Sequence, residues 1–197
     1  MEFMKSKPDN FYDLAIVDPP YGGGQHFNFR YGTGDQVYEN HKPDLKYFTE
    51  LIRVSKNQII WGGNYFTDCL PVNRCWISWY KGNPINSFSD FELAWTSFNQ
   101  TSRAIKIESY GFNHADKRRS KESTIHPTQK PISLYHNLLQ NYAKPGQRIL
   151  DTHGGSMSSA IACDMEGFDL DICEIDREYF DAGVNRFNLY KKQLTLF

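Results

Sequence analysis

Tyr12-Asp13-Leu14-Ala15-Ile16-Val17, halted at once by Asp18-Pro19-Pro20-Tyr21, is the stretch on which the fold turns. Six mostly apolar residues ending at a double proline have the pattern of a buried strand. Strands of this kind belong to sheets covered by helices, and the chain around this one alternates accordingly. From Pro43 the spacing of Leu45, Phe48, Leu51 and Ile52 predicts a helix, and residues 58–61 (QIIW) predict a strand ended by Gly62-Gly63. Residues 74–80 and 91–98, rich in Trp and Ile, predict the arms of a long hairpin, with one more short strand over 104–107. Pro131 opens a helix that carries Ile132, Tyr135, Leu138, Leu139 and Tyr142 inward, since proline is tolerated in a first turn. Strand 148–150, a Gly/Ser turn and a helix to Glu166, stopped by Gly167, come next. A strand through Leu170, Ile172 and Ile175 and a last helix bearing Phe180, Val184 and Phe187 complete the order. The expectation is one α/β domain over residues 1–197, with helices on both faces of its sheet and one antiparallel hairpin.

The length of 197 residues suits a single domain with a real core. Apolar residues at 40% and charged residues at 23% exclude a disordered chain. Lys plus Arg (22) nearly balance Asp plus Glu (23), so any nucleic-acid partner must be met by a local patch. Cys69, Cys75, Cys163 and Cys173 form no CxxC pair, and no His/Cys cluster has zinc spacing, so no metal is expected. The N-terminus lacks the apolar run of a signal peptide, and no stretch is long enough to span a bilayer. A reduced, cytoplasmic protein with no membrane partner is the expectation.

Three motifs carry chemistry. Asp18-Pro19-Pro20-Tyr21 sits at the carboxyl end of a strand, where ligands gather in open α/β sheets. The prolines fix the backbone, so the Asp18 carboxylate and the Pro19 carbonyl form a rigid pair of acceptors suited to an amino group on a base. The ring of Tyr21 offers a face on which such a base can stack. Read alone, the same four residues are also an ordinary strand-ending turn. Asp151-Thr152-His153-Gly154-Gly155-Ser156 likewise joins a strand to a helix, where small residues let a nucleotide-like ligand approach the backbone. Glu174 and Asp176 follow the next strand, Glu174 standing 23 residues after Asp151, close to the spacing at which an acid takes ribose hydroxyls. His126-Pro127-Thr128-Gln129-Lys130-Pro131 places Thr128 and Lys130 at a helix start, a position suited to a carboxylate; a capped helix with a surface lysine would read the same.

Together and in this order, the motifs resemble the permuted (beta-type) family of amino-group DNA methyltransferases, in which the catalytic half precedes the cofactor half. The resemblance covers nearly the whole chain. Residues 58–66 (QIIWGGNYF) and 91–98 (FELAWTSF) also look like stretches of small phage-type adenine methyltransferases. It implies a Rossmann-like methyltransferase sheet in circularly permuted order, with a catalytic half over 1–100 and a cofactor half over 126–190. It further implies S-adenosylmethionine as cofactor and transfer to the N6 amino group of a flipped-out adenine. Asp18, Pro19, Pro20 and Tyr21 would be catalytic. Asp151, His153, Gly154, Gly155, Ser156, Glu174, Asp176, Thr128, Lys130 and Asp18 would hold the cofactor. Two departures stand out. Met157 follows Gly155-Ser156 where the family usually has glycine, and a side chain there would crowd the cofactor. The strand that usually supplies an acid to the cofactor's adenine ring is not found.

Double-stranded DNA is the implied partner. Residues 101–125 are expected to form a DNA-contacting loop, with Lys117, Arg118, Arg119 and Lys121 on phosphates and Arg30 and His26 of the Gly-rich stretch 22–42 assisting. That Gly-rich stretch reads as a mobile surface loop. The tail 191–197 ends Gln193-Leu194-Thr195-Leu196-Phe197, which resembles the short peptide by which bacterial DNA-processing proteins bind the sliding clamp; a helix end packed on the core is the plainer reading. Cytosine-N4 methylation is the nearest alternative activity, although that branch usually carries serine at the Asp18 position. A catalytically weakened DNA- or cofactor-binding relative is the other.

Overall fold

The computed structural model describes residues 1–22, 41–82, 89–107, 125–126 and 128–194. Its centre is a seven-stranded sheet. The strands are β1 (Tyr12–Val17), β2 (Ser55–Trp61), β3 (Trp76–Tyr80), β4 (Phe91–Thr96), β5 (Arg103–Lys106), β6 (Arg148–Asp151) and β7 (Asp169–Ile172), lying side by side in the order β5-β3-β4-β2-β1-β6-β7. β4 runs antiparallel to both its neighbours, β2 and β3, and all other pairs are parallel. The expected hairpin is therefore present as β3 and β4, in register from Trp76 opposite Trp95 to Tyr80 opposite Phe91.

Alternation along the central strands sends side chains to two cores. Leu14 and Ile16 of β1, Ile59 and Trp61 of β2 and Ile149 of β6 meet the helices α3 (Ile132–Tyr142) and α4 (Ser158–Glu166) through Leu134, Leu138, Leu139, Ala162 and Cys163. Ala15 and Val17, Ile60 and Leu150 face the opposite way. There they meet the short helix α1 (Glu2–Lys5) and α2 (Leu45–Val54) through Met4, Tyr47, Phe48, Leu51 and Val54. A period of two on a strand covered on both sides requires this division. The chain is thus a Rossmann-like α/β sheet with helices on both faces.

Three expected core positions face outward. Leu45 is exposed because α2, capped by the Asp44 carboxylate on the Tyr47 amide at 3.0 Å, turns Tyr47, Phe48, Leu51 and Val54 inward and leaves its first residue outside that stripe. Ile175 lies beyond the end of β7 and is fully exposed. On the last helix, α5 (Arg177–Leu194), Val184 is exposed, and the buried positions are Gly183 and Arg186. That helix meets the chain through a close backbone approach and a buried guanidinium instead of an apolar stripe.

Candidate active site

β1 lies between β2, reached through α2 on one side, and β6, whose continuation through α4 leads outward to β7 on the other. The sheet order reverses between β1 and β6, and the carboxyl ends of those two strands carry Asp18 and Asp151. This is the topological switch point at which open α/β sheets bind their ligands.

Asp18 stands in a hydrogen-bonded cluster. Its Oδ1 accepts from the Tyr21 hydroxyl at 2.8 Å, and its Oδ2 accepts from Lys130 Nζ. Lys130, only 4% exposed, also pairs with Glu92 Oε2 at 3.1 Å. The other Glu92 oxygen pairs with Lys81 at 2.6 Å. The Tyr21 hydroxyl is 3.3 Å from Glu92 Oε2 and from Lys130 Nζ. Two carboxylates and two ammonium groups therefore balance in a nearly closed space. Burial pushes the Asp18 carboxyl above the usual carboxylate range, against the pull of Lys130. Burial alone would raise Glu92 too, but Lys130 and Lys81 outweigh it and bring it down to about 2.

The ring of Tyr21 stacks on Tyr65 with centroids 5.0 Å apart and planes 13° from parallel. Its edge rests where Gly62 has no side chain: a Cβ at Gly62, whose φ is +68°, would lie 2.1 Å from Tyr21 Cε1. Trp61, at the end of β2, has Lys130 Nζ 5.5 Å from its ring centroid, and its Nε1 finds no partner among the described residues.

Beside this cluster, the Asp151 loop is held by its own side chains. The Asp151 carboxylate accepts from Ser159 Oγ at 2.6 Å and from the His153 amide at 3.0 Å, and burial raises its pKa to about 7. Glu174 accepts the Gly155 amide at 2.7 Å on one oxygen and the Asp176 amide at 2.9 Å on the other. Asp176 itself caps α5, taking the amides of Glu178 and Tyr179 on Oδ1. His153 lies against Tyr47 and Thr152, and His126 packs edge-on against Tyr179 at 4.3 Å with Thr128 Oγ1 3.2 Å from its Nδ1. Burial lowers both imidazoles to about 4, so both are neutral near pH 7. The Ser156 hydroxyl bonds with Ser158, and Arg186 of α5 donates to the Ser156 carbonyl at 2.7 Å.

Met157 adopts the left-handed conformation, with φ of +59°. Its side chain is 2% exposed and lies against Gly183 of α5, where a Cβ would come within 2.4 Å of Met157 Cγ. The residue that breaks the family's glycine pattern therefore sends its side chain into the seam with α5.

The structure unites Asp18, Tyr21 and Lys130 at one place, and Asp151, the glycines and Glu174 at another next to it. Lys130, expected near a cofactor carboxylate, bonds the Asp18 carboxylate. Among the expected DNA contacts, Lys117, Arg118, Arg119, Lys121, Arg30 and His26 lie outside the described residues, as do Pro127 and positions 195–197. Of the tail peptide, Gln193 and Leu194 end α5. Glu92, Lys81, Gly62, Tyr65 and Arg186 are site residues that the motifs did not point to. Glu92 does carry a signal, as the one charged side chain in the strand FELAWT. No helix among the described residues is long and apolar enough to cross a membrane.

An open α/β sheet with an Asp-Pro-Pro-Tyr turn beside a glycine-rich loop at its switch point has the architecture of a nucleotide-binding protein. The chain belongs to the DNA methylase family of N6/N4 methyltransferases, which matches residues 70–185, more than half of its length. Over 94% of the chain and 73% of the relative, it is 23% identical to the type II methyltransferase M.HpaI of Haemophilus parainfluenzae. Among solved structures it is similar to M1.HpyAVI in complex with SAM (TM-score 0.58, 20% identity, covering 94% of this chain and 92% of that one). It is also similar to the cytosine-N4-specific PvuII DNA methyltransferase (TM-score 0.64, 15% identity, 94% and 83% covered).

Proposed function

We propose that this DNA methylase transfers a methyl group from S-adenosylmethionine to the exocyclic N6 amino nitrogen of an adenine turned out of double-stranded DNA. The observation that carries this reading is the half-buried Asp18 carboxylate at the switch point, beside the glycine-rich loop that follows Asp151. The loop fits the cofactor: it is glycine-rich, it opens α4, and each Glu174 oxygen takes one backbone amide and keeps a lone pair for a ribose hydroxyl. Gly154, Gly155, Ser156, Asp151 and His153 would line the nucleoside, and Thr128 the methionine end. Asp176 would act through the cap it makes on α5.

When bound, the cofactor supplies an electrophilic methyl group on a sulfonium. The amino lone pair of adenine is delocalised into the ring and attacks poorly. Hydrogen bonds from that amino group to Asp18 and to the Pro19 carbonyl favour a more tetrahedral nitrogen and stabilise its growing positive charge. The raised Asp18 pKa suits it to receive the proton the nitrogen then sheds. Tyr21 supplies a stacking surface that offsets part of the few kcal/mol needed to unstack a base. The basic run 117–121 would neutralise phosphates. The aspartate at position 18 favours adenine, while the likeness to a cytosine-N4-specific enzyme favours the N4 amino group of cytosine. Transfer of labelled methyl from S-adenosylmethionine to mixed-sequence DNA, followed by nucleoside chromatography, decides between them. Label in N6-methyladenine is expected; label in N4-methylcytosine would move the assignment, and no label would refute it.

A further inference from the structure

Both oxygens of Asp18 are taken in this structure, Oδ1 by the Tyr21 hydroxyl and Oδ2 by the Lys130 ammonium. Each oxygen keeps a second lone pair for an incoming amino group, but the ammonium at Oδ2 offsets the negative charge that is to stabilise the positive charge growing on that nitrogen. The ammonium cannot simply retreat: Lys130 is 4% exposed, and a buried charge left unpaired is strongly unfavourable. Only one other carboxylate lies within reach among the described residues. Glu92 Oε2 is 3.1 Å from Lys130 Nζ and 3.3 Å from the Tyr21 hydroxyl, so it stands ready for both groups that donate to Asp18. Glu92 is kept anionic by Lys130 and by Lys81, which holds its other oxygen at 2.6 Å.

On the reading that the chain methylates an amino group at Asp18, we propose that Glu92 is a positioning residue, the second seat to which the Lys130 ammonium moves when the base enters. No bond other than hydrogen bonds changes in this exchange. Lys81 sets its balance: by neutralising Glu92 it keeps Lys130 shared, so that Asp18 stays paired while the site is empty. The charged or titratable groups facing Asp18 are Lys130, Glu92, Tyr21 and, across the strand ends, Asp151. All but the altered pair are common to the variants below.

The two partners of Lys130 and Glu92 give opposite signs. Glu92→Gln weakens the second seat, so Lys130 stays on Asp18. The kcat/KM for DNA is expected to fall about tenfold or more. The acid limb of its pH profile should move down, because an undivided ammonium beside Asp18 makes that carboxyl harder to protonate. Lys81→Met leaves Glu92 with Lys130 as its sole cation, drawing the ammonium away. Transfer should be faster than in the unaltered protein, with the acid limb moved up. S-adenosylmethionine affinity by calorimetry should be the same in both, within about twofold. Losses of the same sign with an unmoved acid limb would show a scaffold role and overturn the proposal. If Glu92→Gln fails to fold, the upward shift in Lys81→Met decides alone. Absence of transfer by the unaltered protein would instead overturn the methylation reading beneath it.

Discussion

Gly62 shows how closely the residues of this site are fitted. Its left-handed backbone and the 2.1 Å that would separate a Cβ from the Tyr21 ring leave no space for any side chain. Gly62→Ala is expected to lose about 1–3 kcal/mol of stability and, by pushing Tyr21 from the Tyr65 stack, to lower transfer as well. Denaturant melts and initial rates on one preparation check this; a variant equal to the parent in both would show that the ring is not seated there. The residues of this scale divide by whether their partners are near in sequence. Asp18 and Tyr21 are legible because they belong to one rigid tetrapeptide at the end of a strand. The pairings of Glu92 with Lys130 and Tyr21, and of Lys81 with Glu92, are not, because they form only after β4 has been inserted beside β2, and no local pattern encodes that insertion. The helix start predicts Lys130 near a ligand, but not its bonds to Asp18 and Glu92, because its long side chain spans to neighbouring strand ends.

At the scale of elements, the loop after Asp151 depends on how α5 docks. Met157 holds a left-handed conformation that costs a non-glycine residue roughly 1–2 kcal/mol, and it is accommodated because Gly183 leaves room for its side chain. Gly183→Ala is expected to cost about 1–3 kcal/mol by overpacking. Met157→Ala should cost about 2–5 kcal/mol by leaving a cavity. The pair should cost less than the sum, since each change relieves the other, and strictly additive losses in melts would contradict the contact. The departure from the glycine pattern was visible in the sequence; its resolution was not, because the compensating glycine lies on another helix. The same loop carries a pH dependence. Asp151 has a folded pKa of about 7 against an ordinary value of 3.8, so between these values the folded protein holds a proton that the unfolded chain releases. Stability contributed by Asp151 is thus complete below the ordinary value and is lost as pH rises through about 7. Asp151→Asn should remove that decline, up to about 4 kcal/mol, from melts taken between pH 4 and 8. An unchanged slope would show that Asp151 ionises freely.

For the whole molecule, the class of fold follows from alternation. Buried strands separated by helical spacing, with one hairpin, admit few arrangements, and the two cores on either side of β1, β2 and β6 are what that alternation requires. The position of the site follows as well, because the order reverses between β1 and β6. What the sequence left open is the insertion of β4 antiparallel within a parallel sheet, which rests on side-chain pairing across strands far apart in the chain. Among the described residues, β5 and β7 form the two edges of the sheet. With 22 basic against 23 acidic residues, the molecule has no overall attraction for DNA, so any hold on phosphates must come from a local patch.

The claim at the centre is that Asp18 carries the transfer while the Asp151 loop holds the cofactor. Single-turnover methyl transfer by Asp18→Ala beside the unaltered protein, with S-adenosylmethionine binding followed in parallel by calorimetry, tests it most directly. A fall in rate of about a thousandfold, with cofactor affinity changed by far less, is the expected result. Comparable turnover by the two proteins would contradict it.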